Sequence, residues 1–138
     1  MSTEDTAAVQ FRNRLDPVRY IPDPGDIETV PVEAIDLAAA VLKGMYDTGQ
    51  LSGAKRSTVA AAAVYTAAVS MRGLDVTQHD VADATGTTTV GIREWLADMA
   101  AAMLADDRFE EFVGSADVSV VRERLQHLAD GGSVTGLP

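Results

Sequence analysis

A long apolar stretch, residues 57–72, follows a Lys-Arg pair and is followed by Gly73. It is rich in alanine and carries no charge until Arg72. A helix that is apolar on all sides lies in the interior of a bundle. The stretch is too short and too rich in alanine to cross a membrane, which takes roughly 20 strongly apolar residues. We therefore predict a central helix, capped at its start by Ser57 and ended by a left-handed Gly73, with other helices packed around it.

Amphipathic segments flank this central helix. A helix is predicted from Val30 or Pro31 to Asp47, because apolar residues recur there at the three-four spacing of one buried face. Those residues are Ile35, Ala38, Leu42, Met45 and Tyr46. A later helix, from Val90 to about Leu104, has a second apolar seam. That seam contains Ile92, Leu96, Met99 and Met103.

The C-terminal part of the chain adds a short apolar cluster and a further helix. The cluster contains Phe109, Phe112 and Val113. The helix covers residues 117–130, with Asp117 or Ser119 as its cap. Its inward side chains are Val118, Val121, Leu125 and Leu128. Because no convincing period-two alternation occurs anywhere, we predict an all-α domain of five or six helices.

The chain divides into three parts. Residues 1–30 are predicted to be a flexible leader, because prolines and Gly25 interrupt regular structure after a short helix from Thr6 to Leu15. The leader either drapes on the core or stays mobile; alternatively it is a partner-binding arm anchored by Phe11, Tyr20 and Ile21. Residues 31–130 form one helical domain, and residues 131–138 are predicted to be a flexible tail.

The segment from Gln78 to Leu96 matches a helix-turn-helix. Thr77 starts the first helix with an approximate capping box. The small Ala82 permits close contact of the two helices, and Gly86 supplies the positive φ of the turn. Ile92 then locks the second helix onto the first, with Val81 packing against it. These positions together carry the prediction, since any one of them alone is weak.

In a helix-turn-helix the start of the second helix faces the major groove of DNA. Threonine hydroxyls and methyls read base edges, an arginine binds guanine or phosphate, and a side chain at the start of the first helix touches the backbone. The candidate DNA-binding residues are Gln78, Thr87, Thr88, Thr89, Gly91 and Arg93, together with the basic Lys55 and Arg56. The three threonines have the alternative role of turn and cap residues only.

Several of these motifs together resemble a cyclin repeat of archaeal transcription factor B and eukaryotic transcription factor IIB. The resemblance covers residues of about 32–104. It rests on four features of the sequence. They are two basic residues followed by serine at 55–57, the Ala-rich helix that contains Tyr65, the run 76–82 that contains Thr77-Gln78, and Val90-Gly91-Ile92-Arg93. It implies a cyclin-like bundle of five to six helices around the central Ala-rich helix, containing the helix-turn-helix. The implied function is transcription regulation on double-stranded promoter DNA, with basal transcription proteins as further partners.

The chain also departs from that family. Family members carry an N-terminal zinc ribbon that recruits RNA polymerase, and two tandem cyclin repeats. This chain has no cysteine and room for one repeat, so we expect a single repeat without the ribbon. Gly91 stands where the family pattern has a side chain that is expected to face the groove. Glu94 and Asp98 follow at positions where basic or polar residues are frequent in the family. Homodimerisation would supply a second repeat.

The charge balance is strongly acidic. The chain has 21 Asp and Glu against 11 Lys and Arg, a net charge of −10, and the acids are spread along the sequence rather than gathered in a tail. This composition is typical of salt-accumulating halophilic archaea; an ordinary acidic soluble protein is the alternative. At ~1 M salt the Debye length is about 3 Å, so acidity does not by itself exclude a DNA-binding role.

Catalysis is not indicated. His79 and His127 lack metal-ligand spacing, no nucleophile motif or phosphate loop is present, and the absence of cysteine excludes thiolate sites. We predict no enzyme activity, no metal and no cofactor. Because the first residues are acidic and contain no apolar run, a signal peptide is not expected, no membrane partner is expected and the default location is cytoplasmic.

A second function class remains open from the sequence. The chain would then be a cyclin-like protein-interaction module that binds a partner of the transcription machinery without contacting DNA. The candidate partner-binding residues are Trp95, Phe109 and Phe112. Trp95, the single tryptophan, lies either at the edge of the core or on the surface as an anchor, a role in which tryptophan is enriched.

Overall fold

The structure is a computed structural model that describes residues 16–113 and 117–138. Six α-helices occur in these ranges. They are α1 (Val32–Asp47), α2 (Arg56–Arg72), α3 (Gln78–Thr85), α4 (Thr89–Ala105), α5 (Phe109–Val113) and α6 (Val118–Ala129). Three short 3₁₀-helices accompany them, at Pro17–Tyr20, Gly73–Asp75 and Val134–Gly136. The described part of the chain contains no strand, so the all-α prediction is confirmed.

Helix α2 is the centre of the bundle, as its apolar pattern predicts. Every residue from Val59 to Ser70 is buried. Helices α1 and α4 supply most of its neighbours, and α3, α6 and the first 3₁₀-helix pack on the remaining sides. Alanines on several faces of α2 let these neighbours approach closely, because a methyl group adds little volume between two backbones.

The start and end of α2 differ in detail from the prediction. The prediction that Ser57 caps the helix is wrong: Lys55 is the N-cap residue and makes no side-chain cap. A capping residue needs a non-helical backbone, and the extended conformation ends at Lys55 (φ −70°, ψ 125°), so Ser57 already lies in the first turn. At the other end Gly73 has the predicted positive φ of 66°, but its ψ of −147° lies outside the left-handed helical region.

The flanking helices follow their predicted faces. Helix α1 begins at Val32, one or two residues later than expected, and buries the predicted Ile35, Ala38, Leu42 and Met45. All four residues of the α4 seam are buried. Asp117 caps α6 by accepting hydrogen bonds from the amides of residues 119 and 120. These helices therefore close the core around α2 on the faces that the three-four spacing indicates.

The segments outside residues 31–130 contact the core where the structure describes them. In residues 16–30, Pro17, Ile27 and Val30 are buried, and Asp16 pairs with Lys43 of α1 (Oδ2–Nζ 3.4 Å). At the other end, Val134 and Leu137 pack partly buried against the core. The predicted helix from Thr6 to Leu15, including Phe11, lies outside the described residues. The division at residues 30 and 131, and the flexibility of either end, stay predictions.

Candidate nucleic-acid interface

Helices α3 and α4 form the predicted helix-turn-helix geometry. Thr77 caps α3 by accepting a hydrogen bond from the backbone amide of Asp80 (3.1 Å). Gly86 ends α3 in the left-handed conformation (φ 73°, ψ 32°), which a side chain would disfavour. Val81 and Ile92 are fully buried, and Ala82 is nearly so. The chain therefore turns sharply at Gly86 and presents the start of α4.

Each of the three threonines has a hydrogen bond within the protein. Thr88 caps α4, its hydroxyl accepting from the amide of Gly91 (3.2 Å). The Thr87 hydroxyl pairs with that of Thr58 in α2 (Oγ1–Oγ1 2.8 Å). The Thr89 hydroxyl accepts from the Arg93 guanidinium (3.3 Å). A capping or packing role is thus present at each position, while Thr88 is also exposed to solvent.

Gly91 faces the protein rather than the outside. A Cβ built at this position would lie 2.7 Å from Cγ2 of Thr58 and 3.4 Å from the Thr88 hydroxyl. The expectation that Gly91 replaces a groove-facing side chain is therefore wrong. Gly91 lies at the point where the start of α4 passes close to α2. Only the backbone of Gly91 can contribute to an interface.

The outward face at the start of α4 carries Val90, Arg93 and Glu94, all exposed. Val90 is 57% exposed, an unusual position for a large apolar side chain. The Arg93 guanidinium donates to both the backbone oxygen and the hydroxyl of Thr89 (3.3 Å each), which holds it on the same face. Val90 lies one helical turn before Arg93, within the stretch 87–93 that the sequence predicts to face the groove.

Gln78 is partly buried and turned toward the core. Its side chain hydrogen-bonds the phenol of Tyr65, a buried residue of α2. Burial raises the pKa of Tyr65, and the bond with Gln78 offsets part of that rise. Gln78 and Arg93 also line one cavity together with Leu96 and the C-terminal segment 132–135. The Gln78 amide thus already has a partner inside the protein.

The predicted basic residues lie at the start of α2. Lys55 is exposed, whereas Arg56 lines a cavity with Asp47 and Pro17. One turn further along, Thr58 bonds Thr87. The start of α2 therefore lies beside the turn between α3 and α4, and Lys55 and the start of α4 are at one end of the bundle.

The acidic side chains of α3 and of the start of α4 lie in two separate places. Glu94 is exposed next to Arg93 on α4. Asp80 and Asp83 of α3 line a separate cavity with Asp26 and Glu28, and Asp83 also pairs with His79 (3.2 Å). The outward face at the start of α4 is mixed in charge rather than basic, while the acids of α3 group with residues 26–28.

The predicted partner-binding residues do not form one surface. Trp95 is partly buried at a groove between α4 and the end of α1. Phe109 is 3% exposed and belongs to the core, with the Arg122 guanidinium 5.2 Å from its ring centre. Phe112 is partly buried, with the Arg108 guanidinium 5.5 Å from its ring centre. Trp95 and Phe112 therefore have surface available to a partner, and Phe109 has almost none.

Within the described ranges, no group of three or more His, Asp or Glu side chains is arranged to hold a metal ion. None of the helices in those ranges has the length and apolar character that crossing a membrane requires.

Comparison with known proteins gives a consistent family match. The transcription factor TFIIB repeat model matches residues 12–102. The chain is 39% identical over 77 residues to a transcription initiation factor IIB of Methanococcus aeolicus, and equally so to that of Methanococcus maripaludis. These 77 residues are 56% of this chain but only 23% and 22% of the two relatives. No solved structure matches the chain.

Proposed function

The chain belongs to the transcription factor TFIIB repeat family, with the cyclin-like helical fold that its sequence resemblance implies, and we propose that it is a transcription regulator. It binds double-stranded promoter DNA through the helix-turn-helix formed by α3 and α4. The observation that carries this proposal is the pair Val90 and Arg93, exposed side by side at the start of α4. Basal transcription proteins are the further partners that the similarity to initiation factors supports.

The chemistry of that pair suits the major groove. In a helix-turn-helix, the first residues of the second helix contact base edges. A valine side chain packs on the methyl group of thymine, and an arginine bonds the O6 and N7 atoms of guanine. Holding the Arg93 guanidinium on Thr89 lowers the entropy that binding would cost, because fewer rotamers remain to be lost.

The remaining residues act at the edges of this contact. Lys55 at the start of α2 contacts phosphate, and the exposed Thr88 contacts the backbone or a base while capping α4. Glu94 accepts a hydrogen bond from cytosine N4, the contact that a carboxylate makes in the major groove. The sparse positive charge means that binding depends on close contacts more than on counterion release, so its salt dependence is shallow.

Fluorescence anisotropy with labelled promoter fragments in KCl tests this proposal. Arg93→Ala and Val90→Ala should each weaken binding to the preferred fragment by about 1–3 kcal/mol, roughly 5- to 150-fold. The matched control is Arg122→Ala on α6, which removes an exposed arginine at a distance from the helix-turn-helix. Circular dichroism verifies that each variant is folded. Equal binding by Arg93→Ala and Arg122→Ala, or no preference of the unaltered chain for any promoter fragment, would contradict DNA reading by α4.

The second candidate function is a protein-interaction module without DNA contact. The partly exposed Trp95, beside the acids Glu94 and Asp98, is the observation that favours it. Loss of a partner on substitution of Trp95, with no DNA binding by the unaltered chain, would support this alternative. Under either function we propose a binding role rather than catalysis, and a cytoplasmic location.

A further inference from the structure

A shallow groove lies between the part of α4 from Trp95 to Ala105 and the end of α1. Its lining includes Met45 and Gln50 on one side and Trp95, Asp98, Ala102 and Ala105 on the other. We refer to it as the Trp95 groove. It is separate from the outward face at the start of α4 that the proposed function uses.

The α4 wall of the groove is a continuous stripe. Trp95, Asp98, Ala102 and Ala105 succeed one another at spacings of three and four residues, so they share one face of the helix. Alanines leave room for the backbone of a second helix to approach closely. The partly buried Trp95 offers a large amphipathic surface at one end of this stripe, and tryptophan is the residue most enriched at binding hot spots.

The charge of the groove selects among occupants. Of the described residues that line it, Asp98 is the only charged one. Phosphates of DNA would be repelled there, and a second copy of the chain would bring another net charge of −10. A positive side chain, in contrast, can pair with Asp98 and lie against the face of the Trp95 ring, an arrangement stabilised by cation–π attraction.

We propose that the Trp95 groove binds an amphipathic helical segment of a protein partner that carries a lysine or arginine within its apolar stripe. The apolar face of the segment packs on Met45, Trp95 and the alanines, and its cation pairs with Asp98. This inference goes beyond DNA binding and does not depend on it.

The groove and the DNA-reading face can be occupied together. Val90 and Asp98, the residue that pairs with the cation, are eight positions apart on one helix, which corresponds to about 12 Å along its axis. Because successive residues of an α-helix are rotated by about 100°, the positions of the two faces are also about 100° apart around the axis of α4. A chain bound to DNA at the start of α4 would thus hold a cationic protein segment on a different face, further along the same helix.

Trp95 fluorescence provides a direct test, since this is the only tryptophan in the chain. The probes are two synthetic amphipathic helical peptides without tryptophan, identical except that one carries lysines where the other carries glutamates. We expect the lysine peptide to shift the Trp95 emission saturably and the glutamate peptide to leave it unchanged. In Asp98→Lys the lysine peptide should bind at least about tenfold more weakly and the glutamate peptide should begin to bind, because a like charge now opposes the first and an opposite charge attracts the second.

Two further variants complete the design. Ala102→Arg fills the groove and should abolish the response to both peptides. Glu123→Lys makes the same charge change on the exposed face of α6 and should respond as the unaltered chain does. Circular dichroism checks that all variants keep their helicity, and light scattering gives the molar mass.

Three outcomes would overturn the proposal. The first is an unshifted Trp95 emission with the lysine peptide. The second is an equal response to both peptides, or an Asp98→Lys variant that still prefers lysine. The third is a dimer that dissociates in Ala102→Arg, which would assign the groove to a second copy. No DNA is present in these titrations, so their failure is distinguishable from failure of promoter binding.

Discussion

Thr58 of α2 occupies the space that a side chain at Gly91 of α4 would need. An added Cβ at Gly91 would lie 2.7 Å from Thr58 Cγ2, closer than real carbon contacts allow. Thr58 cannot simply rotate away, because its hydroxyl pairs with that of Thr87 at 2.8 Å. The start of α4 is thus placed by one close approach and one hydrogen bond to the buried central helix.

Gly91→Ala should therefore destabilise the protein although alanine is the better helix former. The propensity gain is about 1 kcal/mol, and overpacking in a well-packed site costs typically about 1–3 kcal/mol, so we expect a net loss of about 1 kcal/mol in the free energy of unfolding. Urea denaturation followed by circular dichroism measures it.

Thr58→Ala provides the test of mechanism. In the Thr58→Ala background the added methyl at position 91 has room, so Gly91→Ala should become neutral or stabilising. The double-mutant cycle then gives a coupling of about 1 kcal/mol or more. Additive effects of the two substitutions would contradict the packing explanation and would place Gly91 outside contact with α2.

Gly73 at the end of α2 and Gly86 at the end of α3 predict opposite tolerance to asparagine. Gly86 lies in the left-handed region (φ 73°, ψ 32°), which asparagine enters readily. Gly73 combines φ 66° with ψ −147°, close to the region that is essentially restricted to glycine. Gly73→Asn should cost about 1–3 kcal/mol of unfolding free energy, and Gly86→Asn less than about 1 kcal/mol. Thermal unfolding of the two variants compares them directly; an equal loss would show that backbone strain does not govern these turns.

Much of the fold follows from the spacing of apolar residues. The buried faces of α1 and α4 were predictable because a helix that lies on one side of a core repeats its contacts every three to four residues. The burial of α2 was predictable because it has no polar side. The turn at Gly86 was predictable because α3 and α4 carry capping threonines and a glycine at the required separation.

What could not be predicted depends on contacts between distant parts of the chain. The cap of α2 was misplaced because serine is a preferred capping residue whereas lysine has no side-chain acceptor, yet the helix begins at Arg56 and its N-cap position falls on Lys55. The inward direction of Gly91 depends on Thr58, which lies 33 positions earlier in the sequence. Likewise, the bond between Gln78 and Tyr65 has no local signature. The salt-adapted character indicated by the acidic composition stays a prediction, since it concerns a response to salt rather than a contact.

Asp106 gives a prediction for pH. The guanidinium and the backbone amide of Arg108 donate hydrogen bonds to the Asp106 carboxylate. These bonds lower the pKa of Asp106, and the side-chain hydrogen bonds are the main cause. The pKa of Asp106 in the folded state lies below its unfolded-state value of about 3.9. The charged carboxylate therefore stabilises the fold fully at pH values above the unfolded-state pKa. This contribution is lost as the pH falls through the folded-state pKa.

Asp106→Asn should consequently lower the unfolding free energy by about 0.5 kcal/mol at pH 7, in the range of exposed ion pairs. The difference from the unaltered chain should vanish in strong acid, where both side chains are neutral. Glu123→Gln on α6 is the matched control, and urea titrations at several pH values measure both. A loss that is the same at every pH would indicate a steric effect and not the charge.

The last prediction concerns Thr66, in the middle of the central helix. Its hydroxyl is buried and has no hydrogen-bond partner among the residues that the structure describes, in contrast to Ser70, whose hydroxyl donates to the backbone oxygen of Ala67 at 2.7 Å. A buried polar group without a partner costs about 1–3 kcal/mol. Thr66→Val keeps the shape and removes the hydroxyl, so it should raise the unfolding free energy by about 1 kcal/mol. Thr66→Ser, which keeps the hydroxyl and removes a buried methyl group, should instead lower it by about 1 kcal/mol. Calorimetric unfolding of the two variants separates the effects, and a Thr66→Val variant less stable than the unaltered chain would show that the hydroxyl has a partner after all.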